Sequence, residues 1–251
     1  SSDVCSSDLM EARIYAEDAF RGFLPAVGRL SAYREPAQTD GVRVDSGVYE
    51  GGEISIYYDP MIAKLIGYGA DRAEAIQRLT KALDSYVVKG ATANTPFLSA
   101  LLRHPRFVSG EIHTGFIDEE YPDGFGAEHV VHDDARRLVA VGAYTHGVVN
   151  GVTEEALSTL EVRATDRRRF EVSVAVDGTS ASIDVDGQAY SITTDWRPGL
   201  PLLEATVNGQ PEAFQVERDG IDWLVTQQGV RSRLRTMSRR AAELSELMPV
   251  K

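Results

Sequence analysis

The chain has 251 residues, of which 43% are hydrophobic, and its formal net charge is −12 at pH 7. This apolar fraction is enough to build packed cores, so we expect a folded protein. The negative charge argues against binding to nucleic acid or to an anionic membrane, because both surfaces are themselves negative. No apolar run approaches the roughly 20 residues of a membrane-spanning helix, and the N-terminus does not resemble a secretory signal.

Cysteine and histidine usage limits the metal and redox chemistry that the chain can carry. The single cysteine, Cys5, excludes an internal disulfide and a cysteine-based zinc site, and it is typical of a reducing compartment. Two of the five histidines, His129 and His132, are three residues apart. We interpret them as a surface pair and predict no metal ligands on this chain.

The first nine residues, SSDVCSSDL, contain Ser-Ser-Asp twice and show neither a helical nor a strand period. We interpret residues 1–9 as a scar of cloning or assembly and exclude them from the predicted fold. Cys5 lies in this segment, so it carries no weight in the functional interpretation.

Residues 10–119 have the pattern of a mixed α and β domain. Val42 and Val44 alternate with Arg43 and Asp45, which is typical of a half-buried strand. The sequence ISIYY at residues 54–58 is rich in β-branched and aromatic residues and predicts another strand. From this segment and the apolar run after it we predict three core residues, namely Tyr57, Tyr58 and Met61.

Two helices are predicted next in the same domain. Asp71 is a candidate N-cap with Glu74 as its capping-box partner. The apolar face of this helix is predicted to consist of Ile76, Leu79, Leu83 and Val87. Thr95 followed by Pro96 predicts the start of a second helix, which Pro105 ends.

A domain boundary is predicted near residue 120. The sequence YPDGFG at residues 121–126 contains proline and glycine without a helical period, which is typical of a linker. We therefore assign residues 10–119 to a first domain and residues 120–251 to a second.

The second domain is predicted to consist of a helix, a small antiparallel β-barrel and a final helix. The helix spans about residues 133–149, with one apolar face made of Leu138, Val141, Thr145 and Val148. Strands at about residues 168–237 are punctuated by Asx-Gly pairs typical of type I′ hairpins, namely Asp177-Gly178, Asp186-Gly187, Asn208-Gly209 and Asp219-Gly220. Residues 239–248 form the final helix, and the predicted fold class is α+β.

Three arginines, Arg231, Arg233 and Arg235, alternate along the last predicted strand. We interpret them first as the solvated face of an edge strand. A partner-binding edge is the second interpretation, and phosphate contact is the third.

Long sequence words in the first domain resemble the C-terminal domain of biotin carboxylase. These words are EARIYAED (11–18), FLPAVGRL (23–30), GVRVDSGVYEG (41–51), ISIYYDPMIAKLIGYG (54–69), DRAEAIQRLTKAL (71–83) and FVSGEIHTGFI (107–117). The later part resembles, more loosely, the subunit-joining middle domain of biotin-dependent acyl-CoA carboxylase α subunits, through YPDGF (121–125), PLLEATVNG (201–209) and RRAAELSELM (239–248). Within that family the resemblance is to the propionyl-CoA carboxylase branch.

The resemblance implies a two-step ligase reaction in which ATP and bicarbonate carboxylate biotin, and a carboxyltransferase β subunit passes the carboxyl group to an acyl-CoA. It implies biotin on a carrier domain downstream, and ATP with Mg or Mn in a domain upstream, so this chain alone is expected to be inactive. It further implies a hetero-oligomer in the bacterial cytoplasm or the mitochondrial matrix, without nucleic-acid or membrane partners.

The resemblance assigns one site residue, Arg43, to stabilise bicarbonate and the ureido oxygen of biotin. A guanidinium suits developing negative charge because it stays ionised and donates several hydrogen bonds. From the residues alone, the competing interpretation is an ion pair between Arg43 and Asp45, which lie on the same strand face. Lys64 and Asp59 are predicted to have structural roles.

Alternative functions remain at this point. The chain could be purely a module for joining the α and β subunits, or belong to a methylcrotonyl-CoA or acetyl-CoA carboxylase. An oligonucleotide-binding barrel is disfavoured by the acidic charge and by the lack of a basic, aromatic-lined strand face.

Overall fold

The computed structural model describes residues 8–55, 57, 59–152, 158–164 and 168–247. Contacts divide the chain into two compact units. The first consists of residues 1–131 and 228–230, and the second of residues 132–227 and 231–251. Helices and antiparallel strands occur in both units, which confirms the predicted α+β class.

The first unit combines short strands with short helices. Its strands are β1 (Asp8–Tyr15), β2 (Glu17–Asp18), β3 (Leu24–Pro25), β4 (Gly28–Arg29), β5 (Ala32–Arg34), β6 (Val42–Ser46), β7 (Glu53–Ile54), β8 (Met61–Gly69) and β9 (Val87–Lys89). Its helices are α1 (Arg72–Asp84), α2 (Thr95–Arg103), α3 (Pro105–Ser109) and α4 (Phe116–Glu120), with 3₁₀ turns at Ala19–Arg21 and Ala127–His129. The main sheet has the order β1-β8-β6, and both outer strands run antiparallel to β8.

Helix α1 covers one face of this sheet. The Asp71 carboxylate accepts a hydrogen bond from the Glu74 N–H at 2.8 Å, so the predicted cap is confirmed. A Cβ added to Gly67 of β8 would lie 2.9 Å from the Ala75 carbonyl oxygen, so glycine is needed where helix and strand meet. The helix buries Ile76, Leu79 and Leu83 as predicted, but Val87 belongs to strand β9.

Several details of the first unit differ from the sequence predictions. Asp8 and Leu9, which we excluded as a scar, are the first two residues of β1 and pair with Gly69 and Tyr68. The N-cap position of α2 is held by Asn94 instead of Thr95. The buried Asn94 amide accepts from the Tyr15 N–H and donates to the Arg13 carbonyl, so its side chain joins the helix start to β1.

The predicted strand at residues 54–58 does not continue at Ser55 or Tyr57. Strand β7 ends at Ile54, and the Tyr57 N–H donates a hydrogen bond to the Ser55 hydroxyl, which turns the chain. Tyr57 is therefore 85% exposed and is not a core residue, and Met61 is only partly buried. Tyr58 lies outside the described residues.

Contacts divide the two units at residues 131 and 132, later than the boundary predicted near residue 120. Tyr121 and Phe125, which we assigned to a linker, are buried in the first unit. Their rings contact Phe97 at centroid distances of 6.0 and 5.3 Å. Aromatic packing of this kind holds residues 120–131 in the first unit, and the second unit begins at His132.

Within its described residues, the second unit is a closed antiparallel barrel with two helices. Its strands are β10 (Ser158–Arg163), β11 (Arg169–Asp177), β12 (Ser180–Val185), β13 (Gln188–Thr193), β14 (Leu202–Val207), β15 (Gln210–Asp219), β16 (Asp222–Gln227) and β17 (Val230–Ser238). The helices are α5 (Ala135–Asn150) and α6 (Arg239–Glu246). The barrel therefore begins about ten residues earlier than predicted, and β17 pairs with β10 to close it.

Helix α5 passes through the barrel. It contacts β11 and β12 on one side and β16, which is three to four strands away around the closed barrel, on the other. Residues 138–145 are all buried, so the prediction of a single apolar face was wrong. A helix that is apolar all round belongs in a core. Small residues make room for it, since a Cβ added to Gly142 would lie 2.5 Å from Leu234 Cδ1 of β17.

Hairpin turns connect most of the barrel strands. Asp186 and Gly187 both have positive φ, as do Asn208 and Gly209, so these two pairs have the expected type I′ signature. At Asp177-Gly178 and Asp219-Gly220 only the glycine has positive φ, so the type I′ prediction was wrong there.

None of the helices in the described ranges is both long and apolar enough to cross a membrane.

Candidate functional site: a charged sheet face

The predicted site residue, Arg43, lies on β6 with 68% of its side chain exposed. Its Nη2 donates a hydrogen bond to Asp45 Oδ2 at 2.9 Å. The ion pair expected from the residues alone therefore forms. Both side chains of this ion pair are exposed, and the single hydrogen bond leaves most of the Arg43 guanidinium donors available.

Neighbouring strands extend this site into a charged face, defined by Glu11, Arg13, Arg43, Asp45 and Lys64. Pairing register places Glu11 and Arg43 on either side of Ile66, and Arg13 and Asp45 on either side of Lys64. Opposite residues of an antiparallel sheet share one face. The charged face therefore combines three cations with two carboxylates, against a net charge of −12 for the chain.

Electrostatic coupling ties the charged face together. The hydrogen bond from Arg13 Nε, 2.8 Å from Glu11 Oε1, lowers the pKa of the Glu11 carboxyl below its ordinary value. The positive charge of Lys64 lowers this pKa further, while the nearby Asp45 charge opposes the shift. Arg13 in turn has its guanidinium pKa raised by the same hydrogen bond with Glu11.

The opposite face of the sheet fixes the charged face in place. Val44 of β6 is 7% exposed and belongs to the core, so Arg43 and Asp45, on either side of it, must point outward. On β8, Leu65 is fully buried on the core side next to Lys64. Strand alternation, together with the α1 helix on the core side, thus directs all five charged side chains to the open side.

The two neighbouring candidates have different roles. Lys64 lies on the charged face and forms no ion pair with any residue in the described part of the chain. The Asp59 carboxylate instead accepts a hydrogen bond from the Met61 N–H at 3.1 Å and caps the start of β8. A structural role is thus supported for Asp59, whereas Lys64 adds positive charge beside Arg43.

No cluster of three or more histidine, cysteine, aspartate or glutamate side chains suited to a metal ion occurs within the described ranges. The interpretation of His129 and His132 as a surface pair was wrong. His129 packs on Phe125 at a centroid distance of 5.6 Å, and its Nδ1 accepts a hydrogen bond from Gly126. His132 is buried, with Nε2 placed 2.9 Å from Gln227 Oε1.

Arg231, Arg233 and Arg235, which we call the arginine stripe, do not lie on an edge strand. Their strand, β17, is one of the strands of the closed barrel and has a neighbour on each side. Arg235 and Arg233 both bind Asp222, which is only 3% exposed. The hydrogen bonds from Arg235, and more weakly from Arg233, lower the pKa of Asp222 below its ordinary value. Sequence reasoning missed Asp222, and the arginine alternation was the only signal of its buried charge.

Comparison with known proteins agrees with this two-part architecture. Residues 11–119 match the biotin carboxylase C-terminal domain, and residues 138–251 match the propionyl-coenzyme A carboxylase BT domain. The chain is 40% identical over 273 residues to the propionyl-CoA carboxylase alpha chain of Ruegeria pomeroyi, covering 96% of this chain and 40% of that protein. It is 43% identical over 130 residues to a methylcrotonoyl-CoA carboxylase subunit alpha of Dictyostelium discoideum, covering 52% of this chain and 19% of that protein.

Among solved structures, the chain is similar to the biotin carboxylase domain of 2-oxoglutarate carboxylase from Hydrogenobacter thermophilus. The two are 34% identical with a TM-score of 0.43, over 45% of this chain and 24% of that chain.

The chain has a biotin carboxylase C-terminal domain followed by a BT domain. This combination defines the class of protein as a biotin-dependent carboxylase subunit. The chain belongs to the α-chain family of the acyl-CoA carboxylases, and its matches across both domains are to propionyl-CoA carboxylase α chains. This confirms the family resemblance inferred from the sequence words. The chain spans about 40% of the length of the Ruegeria pomeroyi relative.

Proposed function

We propose that this chain works within a longer α subunit, where its first unit forms one wall of the site at which biotin is carboxylated. The observation that supports this most is the exposed Arg43 on the charged face of a domain that matches biotin carboxylase. Biotin, when bound, supplies the ureido nitrogen that accepts the carboxyl group. Arg43 would donate hydrogen bonds to the ureido oxygen and to bicarbonate, where negative charge develops.

ATP and its metal ions are expected to be held outside the described residues, which contain no group suited to a metal. Because the chain spans about 40% of the length of the Ruegeria pomeroyi relative, we propose that it does not activate bicarbonate with ATP on its own. Phosphate release from ATP that depends on bicarbonate, measured with the purified chain, would contradict this expectation.

Replacement of Arg43 by lysine in the complete subunit tests the role of the guanidinium. Lysine keeps the charge but loses the planar set of donors, so we expect kcat for carboxylation of free biotin to fall roughly 100-fold. The unfolding temperature should stay unchanged because the Arg43 side chain is exposed. If Arg43→Lys keeps the wild-type kcat, Arg43 does not take part in the mechanism.

The second unit is proposed to join the α subunit to a carboxyltransferase β subunit, since residues 138–251 match the BT domain. The acyl-CoA substrate is proposed to be propionyl-CoA, because the propionyl-CoA carboxylase alpha chains of Ruegeria pomeroyi and Mus musculus match 96% and 95% of this chain, whereas the methylcrotonoyl-CoA relative matches 52%. Co-purification of the chain with a carboxyltransferase β subunit from the same operon or genome tests the assembly role. Failure of the two to associate would contradict it.

A further inference from the structure

Arg43 needs a fixed orientation to act on a bound anion, and its own side chain does not supply one. An exposed arginine samples many rotamers, and holding it in one of them costs rotamer entropy. Within the described part of the chain, Asp45 is the one side chain that Arg43 binds. The bond is short, at 2.9 Å, and both residues lie on the same strand face two positions apart.

Asp45 faces a second cation as well. Lys64 stands directly opposite Asp45 on β8, yet the ion pair forms with Arg43 and not with Lys64. Since the pairing with Arg43 lies within one strand, it does not depend on the position of another element. The carboxylate therefore occupies one N–H group of Arg43 and leaves the other donors of the guanidinium for a ligand.

The first unit contains a matched pair with the opposite order of charges. On β1, Arg13 donates to Glu11 at 2.8 Å, again two residues apart and on the same charged face. The two ion pairs have similar lengths and similar exposure. Glu11 therefore serves as a control that separates a specific effect of Asp45 from a general effect of charge on this face.

We propose that Asp45 is a positioning residue that holds the Arg43 guanidinium in the orientation used for carboxylation. This inference rests on the proposed function, since it assumes that Arg43 contacts the reacting groups. It goes beyond that function by assigning the neighbouring carboxylate to the same reaction.

Steady-state carboxylation of free biotin by the complete subunit tests the proposal. Asp45→Asn should lower kcat and kcat/KM for biotin equally, by roughly 10-fold, because the lost interaction acts through the transition state. The KM for ATP and the unfolding temperature should not change. Asp45→Glu, which keeps the carboxylate, should recover part of kcat, and Glu11→Gln should lower kcat clearly less than Asp45→Asn does.

The outcomes separate this inference from the proposed function. Wild-type or higher kcat in Asp45→Asn, alongside a loss in Arg43→Lys, would overturn the positioning role while leaving Arg43 in the site. Wild-type kcat in Arg43→Lys would overturn the proposed function itself. Asp45→Thr is a second uncharged variant suited to a strand, so the same kcat comparison can be made if Asp45→Asn does not fold.

Discussion

Arg235 donates two hydrogen bonds to Asp222, from Nε to Oδ1 at 2.6 Å and from Nη2 to Oδ2 at 3.0 Å. The Asp222 side chain is 5% exposed, while that of Arg235 is 48% exposed. A carboxylate at this depth needs a charged partner to offset the loss of water. The arginine stripe on β17 therefore neutralises a buried charge at the start of β16.

Asp222→Asn should destabilise the chain by about 2 kcal/mol, which is typical of a lost hydrogen bond to a charged group. Urea unfolding at neutral pH measures this change. Arg231→Ala, on the neighbouring strand β17, is the control, because Arg231 and Glu217 form a longer, exposed pair at 3.5 Å. This control should cost less than about 0.5 kcal/mol, and equal losses in both variants would contradict the special role of Asp222.

Stability should also depend on pH through Asp222. Its folded-state pKa lies below the ordinary value of 3.8, so the unfolded state binds the proton more readily. The stabilisation is thus fully present above that ordinary value and is lost as the pH falls through the folded-state pKa. The difference in unfolding free energy between wild type and Asp222→Asn should be constant near neutral pH and shrink below about pH 4. A difference that stays constant in acid would contradict this assignment.

Gly142 and Leu234 should be coupled if helix α5 occupies the barrel interior. Gly142→Val is expected to cost about 2 kcal/mol because a side chain there meets the fully buried Leu234. Leu234→Ala alone should cost about 2–5 kcal/mol. The double variant should be at least about 1 kcal/mol more stable than the sum of the two losses. Additive losses in urea unfolding would show that the two residues do not share this space.

Tyr190 should stabilise the start of α5 within the second unit. Its hydroxyl donates a 2.7 Å hydrogen bond to Asp134 Oδ2, and the other carboxylate oxygen of Asp134 caps the Arg136 N–H. Tyr190→Phe leaves a carboxylate oxygen short of a donor, so we expect a loss of about 1–2 kcal/mol in thermal or urea unfolding. An unchanged unfolding free energy would mean that water replaces the hydroxyl.

Local sequence signals predicted local structure well. Asp71 identified the start of α1, and two Asx-Gly pairs identified type I′ turns, because both features depend on residues close in the chain. The pattern Val42-Arg43-Val44-Asp45 likewise placed Arg43 and Asp45 on one outward face of β6.

Long-range packing accounts for what the sequence missed. The pattern of α5 fits a one-sided helix, and only the closed barrel reveals that Ala140, Gly142 and Ala143 face neighbours as well. The alternating arginines of β17 suit an edge strand, but β17 pairs with β10 and is not an edge. Tyr121 and Phe125 look like linker residues because their partner, Phe97, lies more than 20 residues earlier in the chain.

The role of Arg43 can be tested most directly against Arg13, an exposed arginine on the same charged face with the same kind of carboxylate partner. The measurement is the rate at which complete subunits carrying Arg43→Ala or Arg13→Ala transfer radiolabelled bicarbonate to free biotin. We predict that Arg43→Ala is at least about 100-fold slower than Arg13→Ala. Equal rates in the two variants would show that Arg43 has no special part in carboxylation.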